Sequence, residues 1–157
     1  MICAMRADLG SGGFTMPQPD LRLEIDSTPL AVRAALSQVL GHRLTTGLAP
    51  HRRGDLELVL AEVLNNIVEH AYAQGQGTIL LELGARPGGL QCRVQDWGHA
   101  MPGGALPAGQ LAARLPDDLP EGGFGWHLIR CLTRDLSYAR IGGSNVVTFS
   151  ISETDKD

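Results

Sequence analysis

The sequence predicts an α/β two-layer sandwich, with helices on one face of a mixed, mostly antiparallel sheet. Three observations lead there. Leu21-Arg22-Leu23-Glu24-Ile25 alternates apolar and polar as a half-buried strand does, and four later segments also read as strands. Three longer segments carry helical spacing, two of them directly after the first strand. The resulting order is strand, two helices, two strands, a long loop, helix, two strands.

Taken in turn, residues 1–19 mix Met, Gly, Ser, Pro and Gln without periodicity and are expected to be a flexible tail. Residues 20–152 then make one domain, and 153–157 a short C-terminal tail. After the first strand, Asp26-Ser27-Thr28-Pro29 places a capping side chain before proline, starting a helix that would run to about Leu44. Gly47-Leu48-Ala49-Pro50 breaks it, and a second helix opens near Asp55 and ends near Tyr72. Gln74-Gly75-Gln76-Gly77 turns the chain into a strand from Thr78 to Ala85. Pro87-Gly88-Gly89 turns it again into a strand from Leu90 to Gln95. Between Trp97 and Glu121 no period holds, apart from a short helical stretch near Gly109 to Arg114. A connection this long in a compact domain marks a functional loop or lid. A helix from Phe124 to about Arg134 and strands at Leu136–Arg140 and Asn145–Ile151 complete the chain.

Bulk properties narrow the function. At 157 residues the chain suits one domain with a sizeable core. Aromatics are only 4% against 43% apolar residues, so that core must be mainly Leu, Val, Ile and Ala. A net charge of −4, with no basic cluster beyond His51-Arg52-Arg53, argues against nucleic-acid binding by phosphate neutralisation. Cys3, Cys92 and Cys131 are too widely spaced for a zinc site and odd in number for a disulfide framework. They read as reduced thiols of a cytoplasmic protein. No apolar run approaches transmembrane length and no signal-peptide core is present, so no membrane partner is expected.

Three segments carry the chemistry. In EVLNNIVEHAY, from Glu62 to Tyr72, helical spacing puts Glu62, Asn66 and His70 on one stripe, each step advancing roughly 40°. Leu60, Val63, Leu64, Ile67 and Val68 form an apolar face beside it, so this helix has the pattern of a site wall. Asp96-Trp97-Gly98 ends a strand where the sheet meets a loop. Glu121-Gly122-Gly123-Phe124-Gly125-Trp126-His127 precedes a helix, where glycines let backbone N–H groups approach an anionic ligand. Taken singly, each segment has an ordinary alternative. Glu62 is then a solvated helix residue, Asn66 a structural amide, His70 a boundary histidine, and the other two segments are turn and loop signals. Their combination is what points to a site.

Together AEVLNNIVEHAY, VQDWGHAMP and EGGFGWHLIRCLTRDLSY, closing with GGSNVVTFSI, resemble the Bergerat-type (GHKL) ATP-binding fold shared by gyrase, MutL and histidine kinases. The short chain and the Glu-x-x-x-Asn-x-x-x-His spacing are most similar to the anti-sigma factor serine-protein kinases of bacterial partner switching. The resemblance covers about residues 21–151. It implies Glu62 as general base, Asn66 as the Mg²⁺-coordinating amide, and His70 as a histidine near the nucleotide without a specified role. It further implies that Asp96 receives the adenine amino group with Gly98 behind it, and that Gly122, Gly123 and Gly125 close over the phosphates. Thr148 lies near the last-strand threonine that would help bind adenine, although Gly143-Ser144-Asn145 stands where a Gly-Thr pair is commoner.

The implied activity is ATP- and Mg²⁺-dependent serine/threonine protein phosphorylation. Such a reaction needs in-line geometry, charge neutralisation at the phosphates and a group orienting the attacking oxygen. One amide plus phosphates and waters suffices to hold Mg²⁺. Lys156 is the only lysine, so phosphate charge would otherwise fall to backbone N–H groups and Arg114 of the lid. Implied partners are an anti-sigma-factor antagonist, phosphorylated on Ser or Thr, and a sigma factor or equivalent regulator that the protein sequesters. A homodimer is also implied, with the Leu21–Ile25 strand or the first helix as its surface. Two other readings stay open: a non-catalytic sequestering module, and a detached histidine-kinase-type ATPase domain.

Overall fold

The computed structural model describes residues 16, 18–107 and 123–154. Its five strands are β1 (Leu21–Asp26), β2 (Thr78–Arg86), β3 (Gly89–Asp96), β4 (Arg134–Ile141) and β5 (Ser144–Ser152). They lie in the order β1-β2-β3-β5-β4, and every pairing is antiparallel. Tight hairpins join β2 to β3 and β4 to β5, a connection that only antiparallel neighbours allow.

The helices are α1 (Pro29–Gly41), α2 (Arg43–Thr46), α3 (Pro50–Asn66) and α4 (Gly123–Leu132). Thr28 caps α1 by accepting from the Ala31 N–H at 3.1 Å, with Pro29 at the first position. The first helix stops at Gly41, short of the Leu44 expected. His42 leaves the helical conformation with ψ 147°, and its Nδ1 accepts from the Leu44 N–H at 3.3 Å to start α2. In turn α3 starts at Pro50, ahead of the expected Asp55. Proline suits the first turn because it has no N–H to leave unpaired. Arg52 anchors that turn, donating to Asp55 at 3.1 Å and to the Thr154 carbonyl at 2.5 Å. After Asn66 the helix widens into a π turn, Ile67–Ala71, in which the Tyr72 N–H donates to the Ile67 carbonyl at 3.0 Å.

Period-2 alternation sorts the sheet. Ile79, Leu81, Leu83, Cys92, Val94, Val147, Phe149 and Ile151 face the helices. Against them pack Val32, Ala35 and Val39 of α1, Leu56, Val59, Leu60, Val63 and Leu64 of α3, and Ile129 of α4. The apolar face read along α3 is thus the centre of the core, with Leu56, Leu60 and Leu64 fully buried. Burying each leucine contributes about 1.5–3 kcal/mol. The opposite face is polar in its middle: Arg93 donates to Glu82 at 3.1 Å and to Gln95 at 2.9 Å. Among the described residues no helix is long and apolar enough to cross a membrane.

Candidate functional site

A cavity of about 470 Å³ opens where the end of α3, its π turn, the ends of β3 and β5, and α4 converge. Asn66, His70, Asp96, Trp126, Tyr138 and Asn145 are among its lining residues. The cavity has two chemically different ends.

At the α3–α4 end Asn66 lines the cavity, and Glu62, one turn earlier on α3, lies beside it outside the lining. Gly125 of α4 lies against both: a Cβ there would meet Glu62 Oε2 at 2.5 Å and Asn66 Nδ2 at 3.8 Å. A side chain at this crossing would push the Glu62 carboxylate from its place, so glycine lets the carboxylate sit against α4. Asn66 Nδ2 is buried and has no hydrogen-bond partner among the described residues. Buried amides are normally paired, and an unsatisfied one costs about 1–3 kcal/mol, so this one is left for something else. Since the amide's O and N are interchangeable by a flip, the side chain can present its oxygen to a cation. That chemistry fits a Mg²⁺ site completed by phosphate oxygens and water.

The π turn serves the middle of the cavity. It releases the Ala71 carbonyl to accept from the His99 N–H at 2.8 Å, pinning the loop after β3 to the helix. Gly98 packs directly on that carbonyl, where a Cβ would overlap the Ala71 oxygen. Tyr72, just past the turn, accepts from the Trp97 N–H at 2.8 Å and donates to the Thr78 carbonyl at 2.7 Å. Burial, together with the nearby Asp96 charge, pushes its hydroxyl pKa up against the opposing Trp97 bond.

At the sheet end Asp96 is only 3% exposed. Its Oδ1 accepts from Asn145 Nδ2 at 2.8 Å and from the Gly98 N–H at 2.9 Å. Burial raises its pKa above the usual aspartate value; the Asn145 and Gly98 bonds and the Arg140 charge oppose that rise. Both bonds end on Oδ1, so Oδ2 keeps its acceptor capacity for a donor in the cavity.

The placement of the expected residues is therefore as follows. Glu62, Asn66 and Gly125 meet at one end, while Asp96 and Gly98 form the other. His70, within the π turn, lines the rim with its side chain 71% exposed and its Nε2 4.0 Å from Glu69. Gly123 begins α4. Gly122, Arg114 and the helical stretch expected near Gly109 lie outside the described residues. The expectation for Thr148 is corrected. Its hydroxyl lies 2.6 Å from Ser137 Oγ on the sheet face away from the helices, and Asn145 and Val147 line the cavity instead. One residue of register moves a strand side chain to the other face.

Sequence reasoning missed Asn145, Arg140, Tyr72 and Tyr138 as site residues. A signal for two of them was present: the chain has only two tyrosines, and both hydroxyls bond at this site.

Comparison with known proteins identifies the family. Residues 25–151 match the histidine kinase-like ATPase domain family. A serine-protein kinase RsbW of Bacillus mycoides is 30% identical over 115 residues, covering 67% of this chain and 72% of that protein. The RsbW of a Bacillus cereus strain is 30% identical over 105 residues, covering 65% and 66%. In structure, the RsbU and RsbW domains of a Mycobacterium tuberculosis protein superpose with a TM-score of 0.57 at 19% identity. That match covers 87% of this chain and 33% of the other, so this chain spans a third of that larger protein and the likeness concerns the fold. The cavity between α3, α4 and the sheet thus lies in a chain that belongs to the histidine kinase-like ATPase domain family and, within it, to the RsbW group of protein serine kinases.

Proposed function

We propose that residues 20–152 form an ATP- and Mg²⁺-dependent kinase unit that phosphorylates a Ser or Thr of an anti-sigma-factor antagonist. The same unit would sequester a sigma factor or an equivalent regulator. One observation carries this: the cavity has an ordered carboxylate with one free oxygen at one end and uncommitted polar side chains at the other. Asp96 Oδ2 accepts the adenine amino N–H, which a guanine carbonyl at the same position would not offer. Asn66 would hold Mg²⁺ through its amide oxygen. When bound, the ion neutralises charge on the β and γ phosphate oxygens. Gly123 and Gly125, at the start of α4, bring backbone N–H groups toward the phosphates. Glu62, without a hydrogen bond or ion pair among the described residues, would take the proton from the attacking hydroxyl as the hydroxyl oxygen bonds to the γ-phosphorus and the bond from that phosphorus to the bridging oxygen breaks, releasing ADP.

The test is transfer from radiolabelled ATP, with Mg²⁺, to the antagonist encoded beside this protein. Transfer by the natural chain and its loss in Glu62→Ala are expected. Full transfer by Glu62→Ala would remove the base from the mechanism. Absence of any ATP or ADP affinity in calorimetry would leave the sequestering module.

A homodimer through β1 belongs to the same proposal. β1 is an edge strand whose sequence is self-complementary about Leu23. In an antiparallel pair of copies, Arg22 faces Glu24 of the other chain and Leu21 faces Ile25.

A further inference from the structure

Asn145 is 4% exposed, and every hydrogen-bonding capacity of its amide is used. Oδ1 accepts from Tyr138 Oη at 2.6 Å and from Arg140 Nη1 at 3.0 Å. Nδ2 donates to Asp96 Oδ1 and to the His99 carbonyl, both at 2.8 Å. A flipped amide would set its oxygen against a carboxylate and a carbonyl and its nitrogen against a guanidinium, so the orientation follows from chemistry.

The same partners hold the loop that leaves β3. Arg140 Nη1 also donates to the Gly98 carbonyl at 2.8 Å, and Tyr138 Oη accepts from the Met101 N–H at 3.0 Å. Gly98, His99 and Met101 are thus fastened to β4 and β5 through one amide and its two neighbours. We infer that Asn145 is a positioning residue that orients Asp96 for the nucleotide base and, by the same side chain, docks the loop from Gly98 to Met101. Base recognition and loop order are then one property. A base bonded to Asp96 Oδ2 rests on a carboxylate whose other oxygen is held by Asn145 and by the loop's own Gly98 N–H. Loosening either end loosens the other. This rests on the adenine reading of the cavity proposed above.

Asn145→Asp is nearly isosteric and keeps both acceptor bonds, but it loses both donors. ATP affinity should fall roughly tenfold or more, the size of a lost bond to a charged group, and the preference for ATP over GTP should shrink. The pH profile separates this from mere loss of structure. Facing Asp96 are Arg140 and Tyr138 of β4, Tyr72 after the π turn, and His70 and His99 on the cavity wall. In the variant two carboxyls share a proton as pH falls, restoring a donor to Asp96. ATP binding should therefore strengthen as pH is lowered, whereas the natural chain does not gain. Hydrogen exchange at the His99 and Met101 amides, read without nucleotide, should be faster in the variant. Tyr138→Phe, which removes a loop bond and an Asn145 bond together, should speed exchange at Met101 and reduce the ATP preference by a smaller factor, which gives a second test if Asn145→Asp fails to fold.

Unchanged ATP affinity and ATP-to-GTP ratio in Asn145→Asp would overturn the inference. Unchanged loop exchange in both variants would do the same. A natural chain that binds no nucleotide would instead defeat the adenine reading, and the exchange measurement would still decide the docking role.

Discussion

The two ends of the cavity are built on opposite principles. At the sheet end Asn145, Tyr138, Arg140 and Gly98 satisfy one another around Asp96, leaving a single carboxylate oxygen open. At the α3–α4 end, Glu62 and Asn66 have no hydrogen bond among the described residues, and the Asn66 amide is buried without one. A base is a rigid, neutral object of fixed shape, so a preset acceptor recognises it without reorganising. Triphosphate and metal bring their own charge and ligands, so the groups that meet them must be left uncommitted. The difference shows where this fold invests its stability and where it gives stability up for chemistry.

Four measurements would break or sharpen that contrast. The largest effect is expected from Glu62→Ala. Phosphate transfer should fall on the order of 10²–10⁴-fold with ATP affinity little changed, as radiolabel transfer and calorimetry would show. Next comes stability by urea unfolding. Asn145→Ala should destabilise by about 2 kcal/mol or more, because Asp96 and the His99 carbonyl lose their donor. Asn66→Ala should stay within about 1 kcal/mol of the natural chain, or gain, because its amide has no bond to lose. Equal losses at the two positions would erase the distinction.

A smaller effect is expected from Asp96→Asn, and its sign follows from burial. The folded-state pKa of Asp96 is raised, so folding favours the protonated form. Stability present at low pH is lost as pH rises from the ordinary aspartate value through the raised one. Asp96→Asn should remove that slope and be relatively more stable at neutral pH while losing ATP affinity; denaturant midpoints across a pH series test it. The smallest effect is expected remote from both ends. Arg22→Glu should leave ATP affinity unchanged and weaken only self-association, by roughly 0.2–1 kcal/mol per cross-strand pair. Combining it with Glu24→Arg should restore association in sedimentation.

Much of this was legible along the chain. Alternation at Leu21–Ile25, the Thr28-Pro29 start and the Leu60/Val63/Leu64 face each fix a local structure through short-range sterics and apolar period, and each is found in place. The spacing of Glu62 and Asn66 held because one α-helical turn carries it. His70 still lines the cavity, but through a π turn, and nothing in Ile67-Val68-Glu69 marks where a helix will widen. Thr148 was misplaced because strand register depends on the partner strand and not on the strand itself.

Residue pattern alone therefore determined the order of elements, the core face of α3 and the helical pairing of a carboxylate with an amide. These are local properties, set within one or two turns. Tertiary structure decided which groups are satisfied and which are left open. The Asp96–Asn145 bond joins residues 49 positions apart, and the contact of Gly125 with Glu62 depends on how α4 crosses α3. Hydrogen-bond satisfaction is settled by three-dimensional proximity, and no spacing along the chain encodes it.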